Sequence, residues 1–139
     1  MKVVWLITLI LSTSIVSASA SGPKFLPSVA QPSFVVTAYS ALPSSIVIRT
    51  RTSSADAVAL AKQAFAGKYD EAQSEFRPSR DDLVQSNGSY FRRVIIEFRI
   101  LSSAGSQPGC GQQVFVWFSQ EGSLTGTYAD PAYCLAGAA

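Results

Sequence analysis

The run SYFRRVIIEFRIL, Ser89 to Leu101, constrains the fold more than any other stretch of the chain. Val94, Ile96, Phe98 and Ile100 share one face at a period of two, and Arg93, Ile95, Glu97 and Arg99 share the other. That is the pattern of a long strand with one apolar face, and it obliges the chain to supply neighbouring strands and a covering layer. QQVFVWFS, a turn at QEGS and LTGTYA predict a hairpin after it, with Val114, Val116 and Phe118 inward and Phe115 and Trp117 outward.

Upstream, IVIRTRT (Ile46–Thr52) alternates as a half-buried strand, with Arg49 and Arg51 on its polar face. SSADAVALAKQAFAG predicts the helix of the fold. Ser53 caps it, Asp56 lies in its first turn, and Gly67 follows its end. Ala57, Leu60, Ala61, Ala64 and Phe65, with Val58 at the margin, line one face, and the alanines suit close approach to a sheet. AQSEFRP reads as a short strand ended by Pro78, and SRDDLVQSNGS as a turn-rich connection. Residues 21–45 hold Pro23, Pro27, Pro32 and Pro43, which predicts an extended arm with one short edge strand inside Ser33–Tyr39. The expected class is α+β: one N-terminal helix packed on a twisted antiparallel sheet of four to five strands, in a single domain over 46–134 with a tail at 135–139.

The first 20 residues are read as targeting rather than fold: Lys2, an apolar run from Val3 to Leu11 and an Ala18-Ser19-Ala20 ending have the form of a secretory signal peptide. Cleavage there leaves ten basic against nine acidic side chains, too even a balance for a nucleic-acid footprint. The expected location is secreted or periplasmic, with membrane contact only during export. In such a compartment Cys110 and Cys134, the two cysteines of the chain, are expected to form one disulfide. It closes a loop worth roughly 3 kcal/mol of lost chain entropy.

In its layout, SADAVALAKQAF followed by FRRVIIEFRIL and QQVFVWFSQEGSLTGTY resembles the PepSY and cystatin-like small exported modules, in which a helix precedes an antiparallel meander. The similarity runs from about Ile46 to Tyr128. It implies an exported binding or inhibitory module. Ser119-Gln120-Glu121-Gly122 stands where a PepSY module carries Asp-x-x-x-Gly, and Gln113-Val114 continues into Phe115 rather than a cystatin glycine, so no inhibitory residue is carried over.

The chain has no histidine, which removes the usual general base, the commonest metal ligand and every Ser-His or Cys-His arrangement. No phosphate-cradling glycine loop occurs, and no cofactor or metal is expected. Asp70, Glu71 and Glu75 offer oxygens to a hard cation but lack an EF-hand register. Asp81 and Asp82, adjacent on an extended chain, point to opposite sides; the expected role is to solvate a loop or to start a short helical turn. Asn87-Gly88-Ser89 is an N-glycosylation triplet in an expected loop.

Two surfaces remain as candidates. If Ile46–Thr52 lies beside Ser89–Leu101, Arg49, Arg51, Arg93 and Arg99 gather around Glu97, as a carboxylate-binding patch or as ordinary cross-strand pairing. Outward-facing Phe115 and Trp117 need a cover, which is a partner, the proline-rich arm or the tail, unless the alternation is inverted and Trp117 lies in the core. The leading expectation is a non-catalytic module binding a protein or peptide partner through these residues. The alternatives are a small secreted hydrolase or toxin using carboxylates and arginines, and a structural envelope component that self-associates.

Overall fold

The computed structural model describes residues 24–101 and 110–134; the expected signal peptide (1–20), the first residues of the arm and the tail (135–139) lie outside them. Six strands and one helix follow in the order β1 (Val35–Thr37), α1 (Ser54–Ala64), β2 (Ser74–Ser86), β3 (Ser89–Ile100), β4 (Cys110–Phe118), β5 (Leu124–Ala129) and β6 (Tyr133–Cys134). The fold is α+β. All pairings are antiparallel, the spatial order is β1-β2-β3-β4-β5, and β6 joins the free half of β4.

Strand β3 has the parity its sequence implies. Val94, Ile96 and Phe98 meet Val114, Val116 and Phe118 of β4 on one face, and Ala57 and Ala61 of α1, with Phe65 at its C-terminal cap, close that core. The helix starts where the capping residue is: the Ser53 hydroxyl accepts from the Asp56 amide at 3.1 Å. Gly67 lies two residues past the cap at φ 77°, and Ala64 is exposed rather than buried.

Two stretches depart from expectation. Residues 74–86, read as a short strand and a turn-rich connection, form one strand of 13 residues. Proline is accommodated because β1 pairs only with Leu83–Gln85, so that Pro78 sits where β2 is an edge, and a bulge between Pro78 and Arg80 absorbs the irregularity. The turn joining β2 to β3 is two residues, Asn87 (φ 51°) and Gly88 (φ 78°), the left-handed pair a tight hairpin requires. Residues 46–52 are not a strand. Ile46, Ile48 and Thr52 are half-buried and the residues between them exposed, so the alternation reports burial. The backbone there finds no ladder: the Ile46 amide donates to the Pro43 carbonyl, the Arg49 amide to the Gln120 carbonyl at 2.8 Å, and the Thr52 carbonyl accepts from the Arg92 side chain.

The Cys110–Cys134 disulfide is formed, joining residues directly opposite each other in β4 and β6. It holds the last described residues against the edge of β4 that β5 leaves free.

Candidate functional site

The second face of the sheet is covered by the arm. Leu26 starts on the helix side, where Gln112, completely buried in β4, accepts from the Leu26 amide at 2.8 Å and donates to its carbonyl at 2.7 Å. Val29 then pairs with Ala129 through two backbone bonds of 2.8 and 3.1 Å, at the outer edge of β5. From there the arm crosses the opposite face and ends as β1 on β2. Its cover there is Gln31 and Phe34, above a cluster of Val84, Ile95, Phe115 and Trp117 flanked by Phe91 and Tyr128.

Trp117 and Phe115 therefore face away from the helix, as their parity implies, but are only 1% and 3% exposed. The Trp117 ring meets Phe34 edge-on at 5.6 Å, and its indole N–H donates to Gln31 Oε1 at 3.0 Å. A buried tryptophan needs such an acceptor. Tyr128 packs edge-on to Trp117 at 5.7 Å and lies across Gly126, whose missing side chain leaves the room. Neither Trp117 nor Phe115 is a surface residue available to a partner.

The four arginines do not gather. Arg93 is buried, its guanidinium held by Asp82 through two bonds of 3.0 and 2.8 Å, by Gln31 at 3.2 Å, and between the rings of Phe34 (4.4 Å) and Phe115 (5.0 Å). Arg99 is exposed and pairs with Glu97 at 2.8 Å; that hydrogen bond is the main cause holding its pKa above the usual arginine value. Arg49 and Arg51 lie beside Gly122 in the β4–β5 turn, away from both. The reason is the missing strand at 46–52: without a ladder nothing carries Arg49 and Arg51 to β3.

Asp81 and Asp82 do point to opposite sides, yet they belong to β2 and neither solvates a loop nor starts a helical turn. Asp82 serves Arg93 under the arm. Asp81 binds Arg92 Nε at 2.9 Å on the helix side, where Arg92 also donates to the Thr52 carbonyl at 2.7 Å and lies over Phe118. Two adjacent aspartates on β2 thus neutralise two adjacent, buried arginines on β3, one pair on each face of the sheet. Glu75 pairs with Arg77, and Asp70 caps the Ala72 amide ahead of β2. Among the described residues no three His, Cys, Asp or Glu side chains converge, and no buried side-chain nitrogen or oxygen lacks a partner. Partial burial, with Asp81 nearby, raises the Tyr39 pKa against the opposing pull of Arg92; burial and then Glu71 raise that of Tyr69.

What remains open is an edge. β1 has no strand on its outer side among the described residues, and Val35 and Val36 are 64% and 60% exposed, with Tyr39 exposed just beyond. An edge strand was expected inside Ser33–Tyr39 and β1 is that strand, whereas sequence reading passed over Gln31, Gln112 and the aspartate–arginine pairs. The Asn87-Gly88 dipeptide was a usable signal, since between apolar runs it marks a two-residue hairpin and hence the Asp81–Arg92 and Asp82–Arg93 neighbourhood. Gln31 and Gln112 had no local signal.

Comparison with protein-family models, with curated proteins and with solved structures finds no match.

Proposed function

We propose that this chain is an exported, non-catalytic binding module that takes an extended, uncharged segment of a partner protein as an added strand on β1. The observation that carries it is the contrast between two parts of one sheet edge. Along β2, where β1 does not reach, the edge is protected by Pro78, a bulge and exposed Arg77 and Arg80, devices that prevent strand pairing. β1, although only three residues long, carries no proline, bulge or charge. Val35 and Val36 stand exposed in a stretch of 24 residues, 25–48, without a single charge. Strand addition supplies main-chain hydrogen bonds, and pockets or patches for alternate side chains supply selectivity. An uncharged β-branched segment fits this edge, because a charged one loses hydration and gains no ion pair.

Other features favour binding over catalysis and export over retention. Asp81, Asp82, Glu75 and Glu97 are engaged by arginines, and histidine is absent from the chain. A disulfide is formed, no described helix is long and apolar enough to cross a membrane, and the first 20 residues have the form of a signal peptide. The order α1-β2-β3-β4-β5 is the helix-then-meander order that the PepSY and cystatin-like resemblance implies, and an inhibitory role belongs to the same proposal.

The test places a photo-reactive side chain at position 39 of the oxidised chain, exposed just beyond β1, and maps cross-linked partner peptides. Capture of extended, uncharged segments is expected, and its loss in Val35→Lys/Val36→Lys, a variant of unchanged stability because both positions are exposed. Capture that ignores both lysines refutes the reading.

A further inference from the structure

The face carrying Trp117 and Arg93 holds the chain's own arm as a groove holds a peptide, and we infer that the arm of a second copy occupies it in an exchanged dimer. The groove has the features of a built recognition site. Gln31 presents one oxygen to two buried donors, Trp117 Nε1 and Arg93 Nη1. Phe34 fills the space above Trp117 and stacks on the Arg93 guanidinium. Ser86 donates to the Ser33 carbonyl at 2.6 Å, and β1 completes the attachment through its ladder to Leu83–Gln85. Leu26 and Val29 add the two-point backbone clips described above. Between Leu26 and Thr37 the arm is gripped every few residues by groups of the body, as a bound peptide is.

The segment that follows permits exchange. From Ala38 to Ile48 the backbone bonds close only within the segment: Ala41 to Ala38, Leu42 to Tyr39 and Ile46 to Pro43. Long-range anchoring resumes at Arg49, bonded to Gln120, and at Thr52, bonded to Arg92. These residues can be laid out afresh without breaking any of those bonds to the body, so they form a hinge. An arm docked in another copy makes every contact it makes in its own. The balance is therefore set by concentration: a short flexible connection holds its own arm at an effective concentration on the order of millimolar. Dilute chains close on themselves. Concentrated chains, or chains closed after partial unfolding, exchange.

The Val29–Ala129 bridge provides a trap, because hydrogen-bonded antiparallel neighbours lie within disulfide reach. The double variant Val29→Cys/Ala129→Cys is expected to close within one chain. Val29→Cys and Ala129→Cys chains of different mass, mixed near millimolar concentration after mild urea, are expected to give a covalent heterodimer joined through the introduced thiols, far in excess of either homodimer. Closure of the double variant with no excess heterodimer from the mixture overturns the inference. A second measurement needs no substitution: isotope-labelled and unlabelled wild-type chains, concentrated together, should show an intermolecular contact between Phe34 and Trp117. Its absence at millimolar concentration likewise overturns it. The groove lies on the face of the sheet, so these outcomes are independent of partner capture at the outer edge of β1.

Discussion

Replacing Asp82 by alanine removes the one carboxylate that neutralises Arg93. The Arg93 side chain is 6% exposed and that of Asp82 18%, so the guanidinium left behind is buried with one hydrogen bond, from Nη1 to Gln31, and two aromatic rings. Breaking a buried pair from one side costs about 3–5 kcal/mol. The two stacked rings retain some stabilisation, and partial access of water at Asp82 relieves some desolvation, so the low end applies: about 3 kcal/mol. Asp81→Ala serves as the control on the same strand. Its carboxylate is 44% exposed, and the Arg92 it releases keeps the Thr52 carbonyl, so about 1 kcal/mol is expected. Arg93→Met together with Asp82→Ala should recover most of the loss, because an uncharged thioether between Phe34 and Phe115 has no desolvation penalty. Urea unfolding followed by Trp117 fluorescence reads all three, with an unchanged slope required for the comparison. A loss of no more than about 1 kcal/mol for Asp82→Ala, or no recovery in the double variant, would show that Arg93 is not held as a desolvated ion.

Two further outcomes follow from the same contacts. Gln112→Leu leaves the Leu26 amide and carbonyl and the Asp130 carbonyl without their partner, and should lower stability by about 3 kcal/mol while freeing the start of the arm to proteases. Cys110→Ser with Cys134→Ser should cost roughly 3 kcal/mol in thermal or urea unfolding and release β6 from β4, with α1 and the β3–β4 core retained.

Legibility followed the range of the interaction. The helix start at Ser53 was readable because a cap is closed within three residues. The faces of β3 and β4 were readable because parity is a property of each strand alone, and the pairing of two cysteines was readable by arithmetic. The continuous β2 was not, because proline breaks a strand or not according to whether a neighbour needs its amide, and that depends on where β1 ends. The strand expected at Ile46–Thr52 failed for the converse reason: alternation shows that a segment is half-buried, but not that a sheet edge waits beside it.

By itself, the sequence determined a compartment to test, an α+β content, a disulfide, the inward and outward sets of the long strands, and the absence of histidine chemistry. Only the tertiary structure decided that Trp117, Phe115 and Arg93 are interior. Their cover comes from Gln31 and Phe34, with Gln31 86 positions from Trp117 and 62 from Arg93. A periodic pattern specifies which face a side chain takes. What covers that face is set by chain segments far apart in sequence, through burial and hydrogen bonding that exist only once the arm has crossed the sheet.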